Sequence, residues 1–515
     1  MARDTVPIAP DPVLGPPVYV VGGGPGGLAV AAALRGRGVR AVVLEKAPAV
    51  AASWRRHYDR LRLHTTRRRS ALPGLRPSRA SGRWLSRDDV VRYLEGYAEA
   101  HGLEVVTGVE VLRIERAPAA EDAEGAAGGT PDGAPGPAAP SASGGPGRTG
   151  GPGRTGGPGG VGGEDRWILH ATGGRRLTSR AVVVATGAAH TPLVPSWPGV
   201  DTWEGELLHS AAYRSPAPYA GRDVLVVGAG NSGTEIAVDL VEGGAARVRL
   251  AVRTVPHLVR RSVLGWPAQA TGVLVRRLPA WPADRLLRLL GRLTVPDLSA
   301  YGLPRPAEGP CARLRRDGRL PVYDTGVVDA VRRGRVEPVA AVASFEPGKV
   351  TLADGSVASP DAVIAATGYR RALEDLVGHL GVLDARGRPV VRGGRTAQGA
   401  PGLYFAGYAH PLGGALREVA REARRIAKAV AAVPQPPAPY GVHGPHGPEA
   451  ATDRAGRRGR RGRRGADGRP RAGAGVGTGT GAVAGAGSGT GPGGREDDRP
   501  AVLPPRLMPP VSLPR

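Results

Sequence analysis

Short unbroken apolar runs, each closed by glycine, alternate along this chain with longer stretches whose apolar residues recur at helical spacing. VYVV (Val18–Val21) leads through GGGPGG into LAVAAALRG, then into a second run, AVVLE, ending at Glu45. DVLVV, ending at Val227, does the same: it passes through GAGNSG into TEIAVDLVE and on to RVRLAV, Arg247–Val252. A run too short for a helix and apolar throughout predicts a strand buried on both faces, and alternation with helices predicts a parallel sheet. AVVVATG (181–187) and DAVIAATG (361–368) predict two more such strands, each before an Ala-Thr-Gly turn. The segment 401–433 predicts a strand, a glycine turn and a final helix. Leu416, Val419, Ala420, Ala423, Ile426, Ala427 and Val430 fall on one face of that helix.

The glycines add chemistry to the pattern. Gly22, Gly24 and Gly27 stand in GxGxxG spacing between strand and helix, as do Gly228, Gly230 and Gly233. Such glycines permit a tight turn, close approach of backbone to a pyrophosphate, and close helix–strand packing. The helix N-terminus behind them offers N–H groups and a positive dipole end. Glu45 closes the first unit, where a carboxylate can accept hydrogen bonds from ribose hydroxyls, as FAD or NAD requires. Arg253 stands in its place in the second unit, with His257, Arg260 and Arg261 close behind. An arginine there matches a 2′-phosphate, so the second ligand is expected to be NADPH; the alternative is a solvated strand end. Asn231 and Ser232, inside the second loop, join its expected cofactor residues. The fold class is therefore α/β with two dinucleotide-binding, Rossmann-like domains. One enzyme holding FAD and NADPH together could pass hydride from nicotinamide to flavin.

Composition removes some of the chain from this scheme. Gly (81) and Pro (51) make about a quarter of the 515 residues. They concentrate in a block at 117–164 and in a tail at 434–515, both too poor in apolar side chains to offset ordering entropy and so expected to be disordered. The net charge of +25 resides partly in RAGRRGRRGRRGADGRPR (454–471). RNA binding through this Arg-Gly stretch is a remote alternative function, weakened by the lack of an aromatic residue for base stacking. Cys311 is the only cysteine, which excludes dithiol redox chemistry. No metal site is expected. MARDTVPIAPDPV lacks an apolar signal core and no run is long enough to span a bilayer, so a cytoplasmic protein without membrane partners is expected.

WEGELLHSAAY (203–213), between the two nucleotide units, then carries a resemblance. Trp203, Gly205, His209 and Tyr213 fit the FxGxxxHxxxY fingerprint of the flavin-containing (class B) monooxygenases, with Trp as the first aromatic. SWRRHYDRLRLHT (53–65), RWLSRDDVVRYLEGYAEAHGL (83–103), GAGNSG (228–233), YGLPRP (301–306) and ATGY (366–369) are also similar to that family, closest to the plant YUCCA-type indole-pyruvate monooxygenases and their bacterial relatives. The resemblance covers nearly all of 16–432 outside the insertion. It implies an NADPH-binding domain inserted into the FAD domain: 16–116, 165–212 and 321–433 for FAD, 213–320 for NADPH, with a disordered start at 1–15. It places Lys46, Ser53 and Trp54 near the flavin. Gly187 and Gly407, in the strand-end turns, are expected at the cofactor. Trp203, Gly205, His209 and Tyr213 are expected as interdomain motif residues, with no catalytic base assigned. His64 and Thr65 occupy the segment where many animal members place an asparagine near the flavin. The implied activity is an NADPH-consuming monooxygenation through a C4a-(hydro)peroxyflavin, acting with O2 on a small 2-oxo acid, ketone, amine or sulfide. An NADPH-dependent reductase or oxidase releasing hydrogen peroxide is the alternative.

Overall fold

The computed structural model describes residues 17–117, 167–275, 278–409 and 411–433. The start at 1–15, nearly all of the 117–164 insertion and the tail at 434–515 lie outside them.

Two five-stranded parallel sheets organise the described chain. The first runs, in spatial order, Leu403–Phe405, Val182–Val184, Val18–Val21, Ala41–Glu45, Glu104–Thr107. The second runs Glu337–Ala340, Arg247–Val252, Asp223–Val227, Ala362–Ala365, Glu206–His209. In each, the strand before the GxGxxG loop is central and the chain order reverses beside it, which opens a crevice at the carboxyl ends of the strands. The α/β class and both Rossmann-like units are as the pattern predicts.

Both faces of the first sheet are covered, hence its unbroken apolar strands. Helices Pro25–Arg35, Arg87–Ala100 and Ala415–Ala432 pack on one face. An antiparallel sheet of Val111–Arg116, Trp167–Ala171 and Arg175–Ser179 packs on the other, with helix Glu374–Val377. All seven predicted apolar positions of the final helix are buried. Arg116 pairs with Trp167 across the ends of the insertion, so the extra residues leave from a closed hairpin, where added loop length costs little.

The domain boundaries expected from sequence need correction. Glu206–His209, Glu337–Ala340 and Ala362–Ala365, placed in the FAD segments 165–212 and 321–433, are strands of the second sheet. Ala362 pairs with Val224 on one side and Glu206 on the other. The hairpin Val342–Glu346 and Lys349–Leu352 packs its Phe345, Val350 and Leu352 on the same sheet. The second unit thus extends well beyond 213–320 on both sides. AVIAATG looks like AVVVATG, and likeness alone does not say which sheet a strand joins; backbone pairing does. Between the sheets the two linkers pair with each other, Tyr369–Arg370 against Thr191–Pro192.

Candidate functional site

Both nucleotide strands end in the same backbone device. Gly22 takes φ +112° and Gly228 φ +113°, a region side chains rarely enter. A β-carbon on Gly22 would lie 2.6 Å from the Ala185 carbonyl oxygen, and one on Gly228 2.6 Å from that of Ala366. Those alanines open the two Ala-Thr-Gly turns. Each turn therefore closes on the first glycine of its own loop, which is why the tripeptide occurs twice. A β-carbon on Gly27 would sit 1.9 Å from the Gly22 oxygen, and one on Gly233 1.8 Å from that of Gly228. Gly24 and Gly230 behave differently. Their backbone is ordinary, at φ −83° and −84°, and nothing lies within 4 Å of where a β-carbon would stand. They begin the two helices without a side-chain cap. Room, a dipole end and backbone N–H groups coincide there, as a pyrophosphate requires, and the residues present fit the two dinucleotides.

In the first unit Glu45 is buried. Its Oε2 accepts the Gly23 N–H at 2.6 Å and its Oε1 the Ala47 N–H at 2.9 Å, leaving lone pairs on both oxygens for ribose hydroxyls. Lys46 places Nζ 3.2 Å from Glu110 Oε1 and 3.3 Å from His190 Nε2. Ser53 is exposed and Trp54 half-buried on the turn Ala52–Arg55, which is tied to the glycine loop because the Ala51 N–H donates to the Gly23 oxygen at 3.1 Å. Gly187 faces open space beyond its strand, and the Gly407 N–H donates to buried Glu422 at 2.8 Å. Gln269, fully buried, joins the units: its Nε2 donates to the Gly413 oxygen at 2.7 Å and its Oε1 accepts the Thr66 N–H at 3.1 Å. The turn opening the final helix is thus pinned to the segment that carries His64 and Thr65. Sequence reasoning missed both Glu422 and Gln269.

In the second unit Arg253 is exposed and finds no hydrogen-bond or ion-pair partner among the described residues. Arg260 is committed elsewhere, 2.8 Å from buried Asp324, and the Arg261 guanidinium lies 4.2 Å above the Trp84 ring. Of the three arginines in that stretch, Arg253 is the exposed one. Asn231 spends its Oδ1 on the Tyr323 N–H at 2.9 Å, and Ser232 is half-buried beside it.

The four motif residues pack mainly within the second unit. Trp203 stands edge-on to Phe345 at 5.5 Å, and a β-carbon on Gly205 would collide with its indole at 2.4 Å. His209 Nδ1 accepts the Ala211 N–H at 3.1 Å, which puts the proton on Nε2, 3.0 Å from the Gly368 oxygen. The imidazole braces the second Ala-Thr-Gly turn, and burial holds its pKa below the ordinary value. Tyr213 is buried, donates to Asp239 at 2.8 Å and meets Tyr58 edge-on at 6.2 Å.

That last contact leads to a cluster that the sequence reading did not find. Helix Asn231–Glu242, which starts at the second glycine loop, buries Glu235 and Asp239 one turn apart. Tyr58 donates to Glu235 Oε2 at 2.6 Å, and His64 Nε2 lies 3.2 Å from Glu235 Oε1 while its ring stacks on Tyr323. Tyr58 and His64 come from the first unit's chain, Glu235 from the second. Two carboxylates on the buried face of an otherwise apolar helix were the available signal. Burial pushes the Glu235 carboxyl up to about 7 and the His64 imidazole down to about 4. Near neutrality the pair therefore sets an acid that holds its proton far above the usual carboxylate range beside a neutral imidazole. An acid raised in this way gives stability that is full below its ordinary value of 4.5 and lost as pH rises through about 7. The loss amounts to about 3 kcal/mol. Glu235→Gln should remove it: the variant's gain in thermal midpoint over the parent should be absent at pH 4.5 and grow through pH 7.5. A flat difference across a pH series would contradict this.

An apolar cavity of about 370 Å³ opens beside the cluster. Leu258, Leu287, Leu290 and Leu303 line it, and Tyr323 and Leu412 form the wall toward His64 and the final helix. Its charged lining is all basic: Arg260, Arg288, Arg292 and Arg305, with no carboxylate. His257 adds a neutral ring, its pKa lowered to about 4 by burial and by nearby Arg313.

Comparison with known proteins agrees with this architecture. The flavin-binding monooxygenase-like family matches residues 174–377, and the pyridine nucleotide-disulphide oxidoreductase family matches 19–122. The chain is similar to the indole-3-pyruvate monooxygenase YUCCA1 of Oryza sativa, 34% identical over 396 residues that cover 76% of this chain and 86% of the relative. A flavin-containing monooxygenase structure from Stenotrophomonas maltophilia superposes with a TM-score of 0.55 at 24% identity, covering 80% of this chain and 98% of that one. A structure of OTEMO in complex with FAD and NADP gives a TM-score of 0.55 at 16% identity, covering 81% and 84%.

Proposed function

This chain belongs to the flavin-containing monooxygenases of the YUCCA type, and from that premise we propose that it oxygenates a small apolar 2-oxo acid at the expense of NADPH and O2. It is an FAD- and NADPH-dependent monooxygenase. Bound FAD supplies hydride acceptance and dioxygen activation. The glycine loop 22–27 and Glu45 would hold its pyrophosphate and ribose, and the loop 228–233 with Arg253 would hold NADPH. Tyr58, His64, Glu235 and Tyr213 fix the helix behind the second loop against the first unit's chain, and so set the approach of the two cofactors. Gln269 and Leu412 help to shut water out between the cavity and the final helix.

The observation that carries the substrate class is the lining of the cavity. Aliphatic walls with Arg288, Arg292 and Arg305, beside an Arg260 already paired with Asp324, and no carboxylate in the lining itself suit an apolar anion better than an amine cation. A 2-oxo acid, the class named for the rice relative, has that chemistry. Its reaction balances as 2-oxo acid, O2, NADPH and a proton giving the shortened carboxylic acid, carbon dioxide, water and NADP⁺. With aryl and alkyl 2-oxo acids, each NADPH consumed should yield one carboxylic acid and little hydrogen peroxide, while amines of equal size should release peroxide only. Full peroxide release with every substrate would establish the oxidase reading instead.

A further inference from the structure

The surface of the insertion between strand Arg247–Val252 and strand Val322–Asp324 is unlike that of the other described residues. Ten of the sixteen exposed large apolar side chains among the described residues fall between Val263 and Leu293. Leu264 is 102% exposed, Leu293 76%, Trp281 74%, Leu274 65% and Trp266 58%. Helix Ala280–Thr294 supplies half of them. Its Leu286, Leu289, Leu290 and Leu293 follow helical spacing and form a strip facing solvent. Arg285, Arg288 and Arg292 form a second exposed strip alongside, with Trp281 at its head. Within helix Ala280–Thr294 no acid is exposed, and the nearest exposed one along the chain, Asp297, follows three residues after its end. From Ser262 to Pro296 the one carboxylate is Asp284, which is buried and accepts the backbone N–H groups of Cys311 and Ala312.

We propose that this face is a membrane-docking surface, seating helix Ala280–Thr294 in the plane of an anionic lipid bilayer. Leucines and tryptophans beside arginines, with no carboxylate exposed on the helix, match the acyl boundary and the phosphate layer respectively. A second copy of the chain is a poorer occupant. A two-fold contact sets each patch against itself and would face these arginines with arginines. Among the described residues no helix is long and apolar enough to cross a membrane, and an in-plane helix needs none. Val263, Trp266, Leu290, Arg288 and Arg292 belong both to this face and to the cavity lining, so the cavity opens toward the bilayer. The docking surface stands on exposure and charge and does not depend on the proposed substrate.

Flotation of the full-length protein with vesicles tests this. The wild type should float with phosphatidylcholine vesicles containing one-third phosphatidylglycerol, keep part of that binding in high salt, and float poorly with phosphatidylcholine alone. Leu289→Asp combined with Leu293→Asp touches neither the cavity nor a glycine loop. It should lower binding about tenfold or more while the flavin spectrum and NADPH oxidation stay unchanged. Retention of full binding by the variant would assign attachment to the basic tail at 454–471 and overturn the proposal. So would failure of the wild type to float with either vesicle, or a dimer in sedimentation that the variant dissociates.

Discussion

Gly24→Ala is expected to fold as well as the parent and to emerge without its flavin. Position 24 has a backbone conformation that alanine adopts freely, and a β-carbon there meets no protein atom within 4 Å. Alanine should even stabilise the apoprotein slightly, by up to about 1 kcal/mol, through lower entropy of the unfolded chain. A glycine with no reason inside the protein owes its place to what lies outside it. At the N-terminus of helix Pro25–Arg35 the proposed occupant is a phosphate drawn close to the backbone. A methyl group in that space should weaken flavin binding by about 3 kcal/mol, or about 100-fold. Gly27→Ala provides the contrast. Its β-carbon would lie 1.9 Å from the Gly22 oxygen, so strand and helix must separate, and thermal stability should fall together with the flavin. The yellow colour and the unfolding midpoint of the two variants separate binding from folding. A yellow Gly24→Ala protein with normal flavin content would remove the pyrophosphate from this loop.

Both glycine loops, the buried strands and the final helix could be read from the sequence because each rests on local rules. A β-branched run, a glycine at fixed spacing and a helical stripe need no knowledge of distant residues. What could not be read depends on pairing across the chain. Ala362–Ala365 joins the second sheet because it matches Val224–Val227 in register, and no property of AVIA announces that partner. Glu206–His209 was hidden because ELLH is an edge strand with a polar first residue. The Tyr58–Glu235–His64 cluster joins residues separated by more than 170 positions, each unremarkable alone. Once Glu235 is placed on the helix of the second loop, its role follows from chemistry: a buried carboxyl must find donors, and the first unit's chain provides them. His209 shows the opposite case. The fingerprint singles it out, and the structure gives it two backbone partners, so it holds the Gly368 turn in place.

Arg253→Glu should reverse the choice of nicotinamide cofactor. The side chain is exposed at the end of strand Arg247–Val252, where the first unit carries Glu45, and no described carboxylate neutralises it. A charge-assisted pair with a 2′-phosphate contributes about 2–3 kcal/mol, and a glutamate adds repulsion, so kcat/KM for NADPH should fall at least about 100-fold. NADH, which lacks that phosphate, should lose little, and it gains a carboxylate able to accept its ribose hydroxyls. The change should appear in KM more than in kcat, because the phosphate is distant from the transferred hydride and binds equally in ground and transition states. Rising salt should narrow the gap between parent and variant for NADPH and leave NADH unaffected. Equal losses for both cofactors would make Arg253 a structural residue, and no loss for either would make it a solvated strand end. In both cases the phosphate would need another cation, and Arg260, already paired with Asp324, is poorly placed to provide it.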